Sequence, residues 1–170
     1  MKTPVCFFCA KTGILCAKCQ EKLNSGDITQ EDVEMSKLLI EREGKYQQLK
    51  DCILHRTVSE GNLVVALVSC PSSRGVANTF WLSKLSRELS QALGKTVKVV
   101  EKTSNLKKLL EQIVHPARVI GTSIIWLPDG TSEVTLRIPR SDMRYAPADL
   151  QILEKIVRRI SGERVHVVVI

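Results

Sequence analysis

Residues 82–100 read LSKLSRELSQALGKTVKVV, which predicts an amphipathic helix, a glycine stop and a short strand. The stretch recurs 68 positions later in the chain. The matching pairs are Leu82 with Leu150, Leu85 with Leu153, Leu89 with Val157, Gly94 with Gly162, Val97 with Val165, Val99 with Val167 and Val100 with Val168. The helical matches step by three and four, and the valines lie on and beside one strand face. Two copies of one small α/β module are therefore predicted.

Both copies are predicted to have the order helix–strand–strand–helix–strand. The first consists of a helix capped at Thr29 and ending near Glu43, strands at 52–58 and 62–70 joined at 59–61, the repeat helix and a strand at 96–101. The second consists of a helix at 105–114, strands at 118–127 and 132–138 joined by a turn at 128–130, a helix near 147–160 and a strand at 164–170. Pro147 is expected in the first turn of its helix.

The positive charge of the chain lies in its repeated part. The net charge is +7; residues 1–60 hold 9 Lys and Arg against 9 Asp and Glu, whereas residues 61–170 hold 16 against 9. A basic domain is typical of proteins that bind polyanions, although a solvated cationic surface gives the same count. Aromatic residues make up only 4% of the chain, which favours recognition through phosphates over stacking of bases on a sheet.

Four cysteines near the N-terminus form two CxxC pairs, Cys6 with Cys9 and Cys16 with Cys19. Each pair can aim two thiolates at one point, and two pairs complete the tetrahedral four-sulfur shell that zinc prefers. Gly13 lies between the pairs, where the chain must reverse. One structural Zn²⁺ is predicted, with no open position for a catalytic water.

Three other interpretations of the four cysteines compete with zinc: two disulfides, a redox dithiol and an iron–sulfur cluster. Disulfides fit poorly with a chain that has no export signal, and a redox CxxC normally follows a strand in a thioredoxin-like pattern. The remaining cysteines, Cys52 and Cys70, lie in apolar surroundings and are expected to be buried small hydrophobic residues.

The tandem modules resemble the prokaryotic type of KH domain. Residues 89–101, the helix with Lys107-Lys108-Leu109-Leu110 and the segment His115-Pro116-Ala117-Arg118-Val119 resemble the junction between the paired KH domains of the transcription factor NusA. With the four-cysteine element in front, the chain resembles archaeal NusA-like factors. This resemblance implies a mixed α/β (α+β) fold with a zinc knuckle at 1–28 and type II KH-like modules at 29–103 and 104–170.

The resemblance also implies RNA binding, but the GxxG loop with which KH domains clamp nucleotides is missing from both modules. The corresponding segments are Phe80-Trp81-Leu82-Ser83, preceded by 72–75, and Tyr145-Ala146-Pro147-Ala148. Basic side chains remain as candidate phosphate contacts. They are Arg74, Lys84, Arg87 and Lys95 around the first segment, and Arg137, Arg140 and Arg144 before the second. Trp81 and Trp126 are expected in core or hairpin packing rather than as stacking platforms.

The resulting hypothesis is a non-enzymatic, zinc-stabilised RNA-binding protein, by resemblance in transcription elongation or termination, with RNA polymerase or the ribosome as further partners. No histidine has a Ser, Cys or acid at catalytic spacing. The alternative is an interaction protein whose KH-like modules have lost nucleotide clamping. Because no apolar run reaches about 18 residues and no signal peptide is evident, we expect a cytoplasmic protein that makes no membrane contact.

Overall fold

The structure is a computed structural model that describes residues 1–71 and 79–170. Its helices are α1 (Phe7–Thr12), α2 (Ala17–Ser25), α3 (Gln30–Arg42), α4 (Thr79–Leu93), α5 (Leu106–Val114) and α6 (Leu150–Ser161). Its strands are β1 (Ile53–Glu60), β2 (Leu63–Ser69), β3 (Thr96–Glu101), β4 (Gly121–Trp126), β5 (Ser132–Ile138) and β6 (Arg164–Val169). Two 3₁₀ helices lie at Gln47–Asp51 and Arg140–Tyr145.

The strands form two three-stranded sheets, with orders β1-β2-β3 and β4-β5-β6. In the second sheet β4 and β5 are antiparallel, and β5 and β6 are parallel because α6 carries the chain back between them. The predicted fold class is confirmed as mixed α+β, with two small sheets, helices and a group of four cysteines at the N-terminus.

The repeat of the sequence is a repeat of local geometry. Helices α4 and α6 both end at a glycine with positive φ, Gly94 (65°) and Gly162 (76°), a conformation that glycine adopts without steric cost. In each case the glycine N–H donates to a carbonyl four residues back, at 2.9 Å. The matched positions Leu85 and Leu153 are both 0% exposed. One matched pair differs, because Val100 is buried and Val168 is 41% exposed.

A polar side chain of the helix holds the last strand in each unit. The backbone N–H of Val99 on β3 donates to Ser86 Oγ at 2.9 Å, and that of Val167 on β6 donates to Glu154 Oε1 at 2.7 Å. These residues are also related by the 68-residue shift. The bonds satisfy N–H groups on the outer edges of β3 and β6, which the neighbouring strand cannot reach.

Helix α3 begins with the capping box predicted at Thr29. The Thr29 hydroxyl accepts a hydrogen bond from the backbone N–H of Asp32, and the Asp32 carboxylate accepts one from the backbone N–H of Thr29. The other oxygen of Asp32 accepts from the backbone N–H of Thr57 on β1, at 2.5 Å. This buried carboxylate therefore fixes the start of α3 and joins it to the first sheet.

The chain divides into two compact units. The first holds Met1–Val58 and Val64–Lys102, and the second holds Ser59–Leu63 and Thr103–Ile170. In the first unit a large core from α3, α4 and the sheet contains Leu39, Leu85 and Leu89, and a smaller core joins the cysteine region to Val33 of α3. The domain boundaries predicted after residues 28 and 103 stay a prediction.

Several local expectations are corrected. α6 begins at Leu150, so Pro147 lies before its first turn, in a segment where Ala146 and Asp149 are extended. β4 begins at Gly121 rather than Arg118, because the Arg118 N–H donates to the Asp142 carboxylate instead of to a strand. The turn prediction at 128–130 is confirmed, with Gly130 at φ 81°.

Cys52 and Cys70 are buried as expected, at 0% and 6% exposure, but they form a disulfide that was not predicted. Gly61 lies midway between them in the sequence, and the β1–β2 hairpin that turns there brings their Cα atoms to 4.2 Å. The residues next to each cysteine do not predict this disulfide. The pairing follows from the register of the hairpin, which places the two cysteines opposite each other.

None of the helices in residues 1–71 and 79–170 is both long and apolar enough to cross a membrane.

Candidate metal centre and basic surfaces

The four N-terminal cysteines are positioned by two short helices. Cys6 is the N-cap of α1 and Cys16 is the N-cap of α2, so the second cysteine of each pair lies in the first helical turn. Gly13 ends α1 at φ 76° and lets the chain reverse between the pairs, as predicted. The helices were missed from the sequence, because six and nine residues are too few to show a periodic apolar face.

Each cysteine pair donates a hydrogen bond to the other. The Cys16 backbone N–H donates to Cys9 Sγ at 3.1 Å, and the Cys6 backbone N–H donates to Cys19 Sγ at 3.4 Å. The sulfurs of Cys9 and Cys19 thus each have a backbone N–H donor, which stabilises a thiolate.

The distances between the sulfur atoms fit a single metal ion. All four Sγ atoms lie within 4.8 Å of one another; Cys6 Sγ lies 3.2 Å from Cys9 Sγ and 3.9 Å from Cys16 Sγ. A tetrahedral ion with metal–sulfur bonds of about 2.3 Å needs sulfurs about 3.8 Å apart. All four cysteines are free thiols in the structure. The group can therefore hold a metal ion.

The surroundings of the four thiols lower the pKa values of Cys6 and Cys16 and raise those of Cys9 and Cys19. The backbone N–H of Cys19 and neighbouring sulfurs lower the pKa of Cys16 to about 7, and the N–H of Cys9 lowers that of Cys6. For Cys9 the N–H of Cys16 acts downward, but burial and the adjacent sulfurs raise the pKa to about 12. The pKa of Cys19 is also raised, since burial and Cys16 outweigh the N–H of Cys6. Four ionised sulfurs this close require a cation.

The surface of the cysteine region carries exposed apolar side chains that the sequence reading did not single out. Phe7 and Phe8 are 61% and 62% exposed, and Ile14 is 70% exposed. Lys11 Nζ lies 5.9 Å from the centroid of the Phe7 ring. The adjacent pair Phe7-Phe8 was the feature of the sequence that could have predicted this surface. Two adjacent side chains on a short helix point in different directions, so they cannot both face the core.

In the first unit, the candidate phosphate contacts lie on and after α4. Lys84 and Arg87 are exposed one helical turn apart, and Lys95 is exposed just after Gly94. Arg74 and the rest of residues 72–75 lie outside the described residues. The segment 80–83, which corresponds to the KH glycine loop, lies within the first turns of α4 rather than in a loop.

In the second unit, the candidate contacts surround the 3₁₀ helix at Arg140–Tyr145. Arg140 and Arg144 are exposed on this helix, and Arg137 is exposed near the end of β5. The Arg144 guanidinium lies 4.7 Å from the centroid of the Tyr145 ring, which is itself 50% exposed. The segment 145–148 holds the last residue of this helix and three residues that precede α6, whereas Pro147 was predicted in the first turn of α6.

The two tryptophans differ in environment. Trp81 is 9% exposed and packs in the first core with its ring 6.2 Å from that of Tyr46, which confirms core packing. Trp126 is 75% exposed at the end of β4, which contradicts core packing, and packing within the β4–β5 hairpin stays a prediction for this residue. Its strand is at the edge of the sheet, and the sequence pattern does not distinguish edge strands from central ones.

The comparisons with known proteins bear on the fold. A scan of protein-family models gave no match, and neither did a search of curated proteins. Among solved structures, the chain is similar to the crystal structure of APE1850, with 17% identity and a TM-score of 0.50 over 79% of this chain and 96% of that chain. At this identity the similarity concerns the fold alone.

Proposed function

We propose that this chain is a non-enzymatic, zinc-stabilised protein that binds RNA through phosphate contacts. The observation that carries the proposal is the exposure of Arg137, Arg140 and Arg144, which are close in sequence in the second unit and are called the arginine surface below. Tyr145, held against Arg144, adds an exposed ring on which a base can stack. The net charge of +7 gives this surface a favourable long-range field for a polyanion.

The lack of a glycine clamp indicates weak sequence selectivity. α4 begins at Thr79 and Pro147 occupies the second segment, so neither offers the backbone approach that glycines provide. Contacts to phosphates position a protein on RNA without reading its sequence. The resemblance to NusA-like factors supports a role in transcription elongation or termination, with RNA polymerase or the ribosome as the assembly nearby.

Fluorescence anisotropy with a labelled single-stranded RNA tests the arginine surface. The triple variant R137A/R140A/R144A is compared with K107A/K108A/R158A, which removes three exposed charges from the same unit. We expect the arginine variant to lose at least about tenfold in affinity and the control to lose much less, because both remove three positive charges but from different places in the unit. Equal losses would mean that net charge alone drives binding, and no binding by the wild type at low salt would refute the proposal.

The four-cysteine group supports zinc as the resident metal. A structural Zn²⁺ suits a site with four sulfur ligands, no open coordination position and a helix at each cysteine pair. Such an ion would make the region rigid and would take no part in catalysis. Cys9 and Cys19, at 0% and 2% exposure, pack in the same small core as Val33, so the ion would hold the N-terminal helices to α3. The cytoplasm suits the four free thiols, and the Cys52–Cys70 disulfide would be the exception there.

Elemental analysis of the purified chain tests the metal. We expect about one zinc per chain, and we expect Cys9→Ser to lose it and to increase hydrogen exchange across residues 1–28 more than in the two sheets. The matched control C52S/C70S removes two cysteines outside the group and should keep its zinc. Iron in place of zinc, or retention of full zinc by Cys9→Ser, would contradict the assignment.

A second candidate function is protein binding, favoured by the exposed apolar residues on β4 and α1 together with the absent glycine clamp. Pull-downs with and without nuclease distinguish the two functions. Partners that survive nuclease treatment support direct protein contact, whereas partners that vanish with the RNA support the first proposal.

A further inference from the structure

The two sheets have four edge strands, and three of them make hydrogen bonds to parts of the chain outside their own sheet. β3 and β6 are held by the side chains that accept from Val99 and Val167. β1 is extended by Lys2, which forms a parallel bridge with Ile53 and exchanges hydrogen bonds with Cys52 and Leu54. Such bonds occupy backbone groups of the edge that could otherwise pair with another strand.

β4 is the fourth edge, and no strand or bridge among residues 1–71 and 79–170 pairs with its outer side. Its position corresponds to β1, since Gly121 lies 68 residues after Ile53. Its sequence, GTSIIW, carries no charge, whereas the other three edge strands contain Arg56, Lys98 or Arg164. Edge strands are usually protected by charges, proline or a covering segment; β4 contains neither a charge nor proline, and no segment of residues 1–71 or 79–170 pairs with its outer side.

The backbone alternation shows which groups of β4 are available. The Leu127 N–H donates to the Thr131 carbonyl on the β5 side, so the odd-numbered residues of β4 turn toward β5. The N–H and C=O groups of Thr122, Ile124 and Trp126 therefore point away from the sheet. Their side chains share the face of Val134, which is 0% exposed, yet Ile124 is 56% and Trp126 is 75% exposed.

We propose that β4 pairs antiparallel with β4 of a second copy of this chain, giving a two-fold symmetric dimer with a continuous six-stranded sheet. In the register that we propose, Ile124 lies opposite Ile124 of the second copy and Trp126 lies opposite Thr122, so that all three outward-pointing residues of β4 are paired. The pairing buries the isoleucine and tryptophan side chains that the helices of one chain leave exposed.

A second copy is favoured by the composition of the strand. An interface with two-fold symmetry must be complementary to itself, and an uncharged strand of apolar and small residues meets its own copy without pairing like charges. The two chains repel at long range through their net charge of +7, so salt should strengthen the dimer by screening. RNA binding has the opposite salt dependence, which separates this proposal from the proposed function.

Sedimentation velocity of nuclease-treated full-length chain, from about 1 to 100 µM at low and high salt, tests the dimer. We expect a monomer–dimer equilibrium that shifts toward dimer at high salt, with Trp126 fluorescence moving to shorter wavelength as dimer forms. Trp81 is already buried and contributes a constant background. A wild-type chain that stays monomeric across this range would overturn the proposal, and would leave β4 to a different partner.

Charge substitutions at the two-fold axis test the register. Ile124→Lys and Ile124→Glu should each remain monomeric at about 100 µM, weakening the dimer at least tenfold, and an equimolar mixture of the two should recover dimer. Val168→Lys changes an exposed residue on the opposite edge strand of the same sheet and should dimerise like the wild type. Dimerisation of Ile124→Lys at the wild-type concentration, or equal loss in Val168→Lys, would contradict pairing through β4.

Discussion

Two buried carboxylates connect segments that are distant in sequence. Asp32 joins the start of α3 to Thr57, and Asp142 accepts hydrogen bonds from the backbone N–H, Nε and Nη2 of Arg118 at 3.2, 2.8 and 3.3 Å. They are 3% and 6% exposed, respectively. Because a buried carboxylate is stable only when its oxygens are hydrogen-bonded, each fixes the backbone around its donors.

The bond between Asp142 and Arg118 predicts a pH dependence. The Arg118 side chain, with the Arg118 N–H and Ser141, lowers the pKa of Asp142 from 3.8 to about 2 against the effect of burial. A folded-state pKa below the unfolded value adds stability that is complete above about pH 4 and is lost as the pH falls toward 2. The thermal midpoint of the chain should therefore decline over this range, measured by circular dichroism.

Asp142→Asn provides the comparison. This variant should be less stable than the wild type at neutral pH and should show a smaller decline between about pH 4 and 2, because it has no carboxylate to protonate. Asp149→Asn changes an exposed residue that makes no capping bond and should follow the wild-type profile. Parallel profiles for wild type and Asp142→Asn would show that this pair does not contribute.

The helix, glycine and strand at 79–101 and 150–169 are the repeated element of the fold. Leu85 and Leu153 are fully buried at matched positions, and the backbone N–H of the last strand is bonded to the helix in both copies. The second copy changes the bonding side chain from Ser86 to Glu154. The packing and the bond therefore recur even where the residue type does not.

Matched truncations test this equivalence. Leu85→Ala and Leu153→Ala should each reduce the free energy of unfolding by about 2–5 kcal/mol, because each leaves a cavity under a helix. The controls Gln91→Ala on α4 and Gln151→Ala on α6 remove exposed side chains and should change it by less than about 0.5 kcal/mol. Urea unfolding measures these values; a cost at Leu153 no larger than at Gln151 would show that the second copy is packed differently.

The sequence predicted the elements whose own periodicity determines them. β3 and β5 have the predicted bounds, and α4 ends at Gly94 as expected. The four metal-ligand candidates were also identified, because CxxC spacing places both sulfurs near one point. These features depend on contacts within a few residues.

Features that depend on tertiary contacts were missed. The disulfide depends on hairpin register, and the exposure of Trp126 depends on which strand is at the sheet edge. α6 begins later than predicted because the segment after Tyr145 is extended. Proline is common both in the first turn of a helix and in extended segments, so Pro147 alone did not distinguish the two. The exposure of Arg140 and Arg144 likewise follows from the 3₁₀ helix at 140–145, for which the sequence shows no periodicity.

At the scale of the whole molecule, the chain combines a four-cysteine group and two mixed α+β units with positive charge concentrated after residue 60. The candidate phosphate contacts that the structure describes are all exposed: Lys84, Arg87, Lys95, Arg137, Arg140 and Arg144. Exposed cations bind polyanions by releasing condensed counterions, so the affinity should depend steeply on salt and weakly on sequence.

The salt dependence of RNA affinity tests whether the exposed basic side chains bind RNA. Anisotropy with unrelated single-stranded RNAs, from about 50 to 200 mM monovalent salt, should give a linear fall of log K with log salt at about −0.7 per phosphate neutralised. R137A/R140A/R144A should reduce that slope by about 2 if all three arginines contact phosphates. Absence of binding at about 50 mM salt, or an affinity that does not change with salt, would contradict RNA binding through the basic surface.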